Sequence, residues 1–181
     1  TLSSAGDTLT VSGMTASKFN MFMTHILATG TTDVHLEIDD DTTATYASRT
    51  NYNGGTDSTQ VSQSTLEIDN NVTTPVFWIN YMMNIATEEK LGIMFEIRQS
   101  TAGASNMPNR QEKAIKWTNT SVQFTKYEHT NDETGDFDTS SNLSALGSDG
   151  VESLNVQDGA VYYDKQLNKE YVLSNNTWTE L

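Results

Sequence analysis

The sequence predicts an all-β chain: an antiparallel two-sheet sandwich of jelly-roll type, followed by a small C-terminal β-meander. Three observations carry this. Short apolar stretches alternate with polar residues at period two. Clusters of Gly, Asn, Asp and Ser punctuate them. Thr, Ser and Asn together make up about a third of the chain, which joins a β-branched residue suited to a pleated, half-exposed surface with two turn formers.

Residues 8–11 open the series. Residues 14–28 are ambiguous, because Phe19, Phe22, Met23 and Ile26 have near-helical spacing while Phe19, Met21 and Met23 alternate; Gly13 and Gly30 bracket the segment and favour a strand. Over 34–38, Val34, Leu36 and Ile38 alternate with His35 and Glu37. Further strands are expected over 65–68, 76–85, 91–98, 114–117, 122–129 and 143–146. Polar breakers lie at 39–43, at 52–58 with its Asn53-Gly54-Gly55 turn, at 100–110 and at 130–141. About eight strands joined by loops of this kind suit a two-sheet sandwich over residues 1–147 better than a small barrel.

Residues 148–159 are polar and Gly-flanked and read as a linker. Residues 160–181 read as a separate three-stranded meander. Strands so short make a unit too small to be stable unaided, so its aromatic face, with Tyr162, Tyr163, Tyr171 and Trp178, is a candidate docking surface, for the chain's own first domain or for a neighbouring subunit.

Composition closes several functions. The chain has 181 residues and no cysteine, so it can bury a core without a staple, and disulfides, thiolate metal sites and a cysteine nucleophile are excluded. A net charge of −14 lacks the basic footprint of nucleic-acid binding and disfavours anionic membranes, while favouring solubility at high local density. The most apolar run, 75–83, is broken by Asn80, so no membrane insertion is expected. No basic start followed by an apolar stretch is visible at Thr1; a leader removed by processing and a start after processing both fit.

Catalytic signals are absent. His25, His35 and His129 lack paired metal spacing, no Gly-x-Ser-x-Gly elbow occurs, and Gly54-Gly55 is a turn without a following Lys-Ser/Thr. The carboxylates of 39–41 and of Asp132, Glu133, Asp136 and Asp138 have the oxygen chemistry calcium wants but not the spacing of a calcium loop; a solvated acidic loop is the default, and no cofactor is expected. Four Asn-x-Ser/Thr triplets, at Asn71, Asn119, Asn142 and Asn175, predict surface loops. Trp78 lies in the most apolar strand and reads as core, whereas Trp117 and Trp178 are candidates for stacking a sugar ring.

Several stretches also carry a resemblance. Leu9-Thr10-Val11-Ser12-Gly13-Met14-Thr15-Ala16, Tyr52-Asn53-Gly54-Gly55-Thr56-Asp57 and above all Asn84-Ile85-Ala86-Thr87-Glu88-Glu89-Lys90-Leu91 resemble a group of structural proteins of tailed phages and related viruses of marine microbes. Thr101-Ala102-Gly103-Ala104, Pro108-Asn109-Arg110-Gln111-Glu112, Lys116-Trp117-Thr118-Asn119-Thr120-Ser121 and Thr134-Gly135-Asp136-Phe137 follow in the same order. The words Asn168-Lys169-Glu170-Tyr171-Val172-Leu173 and Asn176-Thr177-Trp178-Thr179-Glu180 resemble a short cap at the ends of many viral structural proteins. The Met-rich stretch Met21 to Met23 and the heavy acidity depart from the group's pattern.

The resemblance implies a virion-surface, extracellular location and a capsid-decorating or spike-like part. It implies assembly with copies of itself in a rotationally symmetric oligomer such as a trimer, and docking on other virion structural proteins. It transfers no catalytic residue, so no enzyme is expected. The alternative is a carbohydrate-binding adhesin that recognises host surface glycans through Trp117 and Trp178. A hydrolase of surface polysaccharide is the least supported reading, because an abundance of carboxylates does not make a facing pair.

Overall fold

The computed structural model describes residues 1–149, 159–165, 167–174 and 177–181. The chain divides into two units, Thr1–Asp149 and Gly150–Leu181. Among the described residues no helix is long and apolar enough to cross a membrane.

The first unit contains β1 (Thr8–Val11), β2 (Phe19–Ile26), β3 (Thr32–Ile38), β4 (Tyr46–Tyr52), β5 (Ser58–Gln63), β6 (Leu66–Val72), β7 (Val76–Met83), β8 (Lys90–Arg98), β9 (Asn109–Trp117), β10 (Tyr127–Asn131) and β11 (Asn142–Ser148). They form a four-stranded sheet, β1-β10-β3-β6, and a seven-stranded sheet, β11-β2-β7-β8-β9-β4-β5. Every ladder in them is antiparallel. Contracting the β7–β8–β9 meander to one strand and setting β11 aside leaves orders 1-8-3-6 and 2-7-4-5, the pairing of an eight-stranded jelly roll. The ambiguous segment after Gly13 is a strand, β2, and its alternation rather than its near-helical spacing describes it.

Two strands were not legible as alternation. β4 and β5 carry few aliphatic side chains, and β5 exposes all but Gln60. The strand expected over 122–129 begins only at Tyr127 and continues to Asn131 into the expected breaker, because residues 122–126 leave the ladder to wrap Phe124 into the core. Asn71 lies within β6 and Asn142 begins β11, so two of the triplets expected in loops are on strands. The Asn53-Gly54 turn is as expected: Gly55 N–H donates to Tyr52 O at 2.9 Å, and both central residues have positive φ, 51° and 75°. That is the turn type whose twist matches flanking strands.

The core lies between the sheets. Phe22 stacks on Tyr127 with ring centroids 3.8 Å apart, and Trp78 meets His129 edge-on at 5.0 Å. Polar atoms that reach this layer are mostly paired. Asn80 donates to Tyr127 Oη at 3.0 Å, and Asn84 holds the Phe124 backbone at both ends, at 2.8 and 3.0 Å. Thr24 Oγ1 lies 3.2 Å from His129 Nε2. Burial pushes the His129 imidazole down to about 3, so it is neutral across physiological pH.

The sheets differ in width. Three extra strands add roughly 14 Å at the usual strand spacing of about 4.8 Å, so the four-stranded sheet leaves part of the wider sheet's inner face uncovered. There the inward residues change character along β8, β9 and β4. Met94, Ile115, Trp117 and Tyr46 stay in the apolar core, while Glu96, Gln111, Lys113 and Thr50 make the opposite end polar.

The second unit is a three-stranded sheet of β12 (Val161–Asp164), β13 (Lys169–Ser174) and β14 (Thr177–Glu180). Most of the linker expected over 148–159 lies outside the described residues; Ser148 belongs to β11.

Candidate functional site

Antiparallel registers place facing residues on the same side of a sheet, so they define what the outer face of the seven-stranded sheet presents. One row across it runs Leu146, Met21, Tyr81, Ile93 and Ala114; the next runs Ser144, Met23, Ile79, Phe95 and Glu112. Phe77 faces Ile97 a row further on, and Phe19 faces Met83 at the opposite end. Four rows on three neighbouring strands are therefore almost wholly apolar, and they point to solvent.

The exposure is large. Phe19, Phe77, Tyr81, Leu91, Ile93, Phe95, Ile97 and Leu146 are each between 42% and 56% exposed. Eight such side chains, each with about half of roughly 150–250 Å² in solvent, put on the order of 700 Å² of apolar area on one face. A soluble monomer rarely carries a contiguous patch of this size outside an interaction site.

Charge is confined to the rim. Arg49 pairs with Asp57 at 3.2 Å, Arg110 with Glu112 at 3.2 Å and Lys116 with Glu89 at 3.2 Å. These pairs sit on or beside β4 and β9, and no Asp, Glu, Lys or Arg interrupts the β2, β7 and β8 positions of the outer rows. The inner edge of β8 shows the reverse: Lys90 and Glu96 are buried on the face opposite Leu91, Ile93, Phe95 and Ile97.

Lys90 explains how the β7–β8 turn is held. Its ammonium donates to the carbonyls of Glu88 at 2.8 Å, Asn119 at 2.7 Å and Ala86 at 3.4 Å, and lies 5.8 Å from the Trp117 ring centroid. Burial lowers its pKa. The stretch 84–91 is thus occupied with structure: Asn84 and Lys90 tie this turn to residues 119–124.

The residues expected to act fall in different places. Trp117 is fully buried and its Nε1 donates to Asp41 at 2.7 Å, so it offers no face to a sugar; a strand end that looks peripheral in sequence is covered by the loop at Asp41 and by Phe124. Trp178 is 43% exposed and meets Tyr162 at 6.1 Å, and Tyr162 stacks on Tyr171 at 6.4 Å. These three form one aromatic face of the meander, in which Leu173 is buried. Tyr163 alternates to the opposite face and donates to Asn168 Oδ1 at 2.6 Å, so it is not part of that cluster.

The acidic loop at 39–41 is engaged within the protein. Asp41 accepts from Trp117, Thr43 and Thr45, which together hold its carboxyl below the usual range although burial acts the other way. Asp39 accepts from the backbone of Thr125 and Lys126, and Asp40 pairs with Lys126. Of the histidines, His25 is half-buried beside Phe77, His35 pairs with Asp132 at 3.3 Å and His129 is in the core. Among the described residues no group of three or more His, Asp or Glu is placed to hold a metal ion.

Comparison with protein families, with curated proteins and with solved structures finds no match for this chain. The fold defines its class, an all-β antiparallel sandwich, and the apolar outer face is its most distinctive surface.

Proposed function

We propose that this chain is a structural component of a virus surface, capsid-decorating or spike-like, which assembles with copies of itself through the outer face of the seven-stranded sheet. The apolar patch on β2, β7 and β8 carries the reading. Its area is close to the ~800 Å² per partner of a standard interface, and it is free of charge in a chain whose net charge is −14. Two acidic chains repel over most of their surfaces, and this face is where they can approach without stacking like charges. The sequence resemblance to structural proteins of tailed phages and marine viruses supports the virion setting, and rotational symmetry is the arrangement such assemblies take.

The experiment is the solution mass of the chain with and without Ile93→Asp and Phe95→Asp together. The expected result is an oligomer that the double substitution converts to a folded monomer, with self-association weakened at least 100-fold. A parent chain that stays monomeric at high concentration overturns the reading.

A further inference from the structure

A cavity of about 500 Å³ opens at the edge of the sandwich where β4 and β5 approach β6. It occupies the inner face left uncovered by the narrower sheet. The registers build it: Tyr52 faces Gln111, which faces Glu96, and in the next row Thr50 faces Lys113. Register shifts in the β3–β6 ladder break the alternation of β6, so that Ile68 and Asp69 are both buried, and Asn71 has a positive φ of 50°. Bulges of this kind re-aim side chains next to binding sites.

Apart from Ile68 and the ring of Tyr52 the lining is polar, and its charged groups are already engaged, one pair with each other and the rest by backbone carbonyls and side-chain amides. Arg98 pairs with Asp69, and Lys113 donates to the carbonyls of Glu67 and Ile68. Gln60 and Asn70 donate to the Glu67 carboxylate at 3.3 and 3.0 Å, and Gln111 donates to Glu96 at 3.0 Å. Asp69 Oδ2, Glu96 Oε1 and Arg98 Nε are buried without a hydrogen-bond partner. Arg98 Nε and Glu96 Oε1 face each other at 3.8 Å, beyond hydrogen-bond reach. Buried groups normally satisfy this capacity. The walls therefore offer donors and acceptors side by side, over a layer of buried charge whose hydrogen bonding is incomplete.

We propose that this cavity binds a neutral saccharide unit. Each sugar hydroxyl both donates and accepts, which suits walls where amides and hydroxyls alternate with carboxylates and cations. A charged ligand would have to break the Arg98–Asp69 pair or strip Lys113 and Glu67 of their carbonyl and amide partners to find a counter-ion, whereas a neutral one leaves these contacts intact. Tyr52, 41% exposed at the rim, supplies the apolar ring face on which a pyranose stacks. The site differs from the Trp117 and Trp178 platform expected from sequence, and it stands apart from the assembly face, which lies on the other side of the same sheet.

The test applies the full chain to an immobilised array of neutral and acidic oligosaccharides, then titrates the strongest neutral binder against the parent chain, Tyr52→Ala and Gln60→Ala. Both substituted residues are at or near the surface, and each variant is checked for an unchanged melting temperature. The expected result is binding of a neutral sugar, weakened at least tenfold by each substitution, retained by Tyr52→Phe, and unchanged per chain in the Ile93→Asp, Phe95→Asp variant. Retention of no neutral sugar, binding of acidic sugars alone, or binding that survives both alanine substitutions overturns the proposal. Because the last variant separates the two faces, loss of assembly leaves this result readable.

Discussion

The two faces of β8 wear their residues in opposite senses. Leu91, Ile93, Phe95 and Ile97 look outward, while Lys90 and Glu96 are turned inward and Arg98 is half-buried at the strand's end. On β2 and β7 the same outward face is almost wholly apolar, but there the inward face carries no charge, with Phe22, Ile26, Val76 and Trp78 beside the neutral, hydrogen-bonded Thr24 and Asn80. The inward charges at Glu96 and Arg98 gather where β6, the border of the narrower sheet, meets β4 and β9 around the cavity. An apolar outer face is tolerable where another surface covers it, and an inner face can hold charge only beyond the dry layer, where side chains meet one another and a cavity.

The comparison breaks most sharply at Arg98. Replacing it with Met leaves the Asp69 carboxylate buried without its cation, and the loss expected is about 3–5 kcal/mol. Urea denaturation of the monomeric variant measures it; a loss under 1 kcal/mol would mean that the inner charges are effectively solvated.

A second probe is pH. Desolvation pushes the Glu96 carboxyl up to about 7, with Lys113 and Gln111 only partly offsetting it. Between the unfolded value near 4.5 and about 7 the folded chain binds more protons than the unfolded one, so this group lowers stability as pH rises through that window. Glu96→Gln removes the contribution, worth on the order of 3 kcal/mol at about 1.4 kcal/mol per pH unit. His129 works the other way, since its folded value near 3 makes stability fall as pH drops below about 6.5. The expected outcome is therefore a parent chain with a shallow profile from pH 4.5 to 6.5, and a Glu96→Gln chain whose stability climbs steeply over the same range. Thermal melts in a pH series would show it, and identical slopes would remove Glu96 from the account.

The smallest effect is expected on the outer face. Phe95→Thr in the dispersed, monomeric chain should change stability by no more than about 0.5 kcal/mol, because a half-exposed strand position keeps its backbone ladder and gains a β-branched residue. A loss of 2 kcal/mol or more, read by the same urea titration, would show that Phe95 belongs to the core of the single chain.

Much of the fold was legible in the sequence, and the reasons are local. Val34, Leu36 and Ile38 bury one face and announce β3, and Asn53-Gly54 announces its turn through the one conformation both residues tolerate. β4 and β5 were hidden because their inward positions are Tyr46, Ser48, Thr50 and Gln60, which give period two no hydropathy to ride on. The candidate site was hidden for another reason. Alternation in 91–98 is plain, yet period two says only that two faces differ; which one meets the second sheet depends on β8 lying inside a meander that no local signal reports. Trp117 misled similarly, since the loop that covers it arrives from Asp41, 76 residues away in the chain.

The outer strand β5 has a consequence for how the seven-stranded sheet ends. Its ladder with β4 is irregular, Ser62 has a positive φ of 52°, and polar side chains occupy nearly all its positions. A kinked border of this kind refuses an incoming strand. At this border the seven-stranded sheet is therefore closed to extension, and a chain meeting it finds no straight row of backbone groups to pair with.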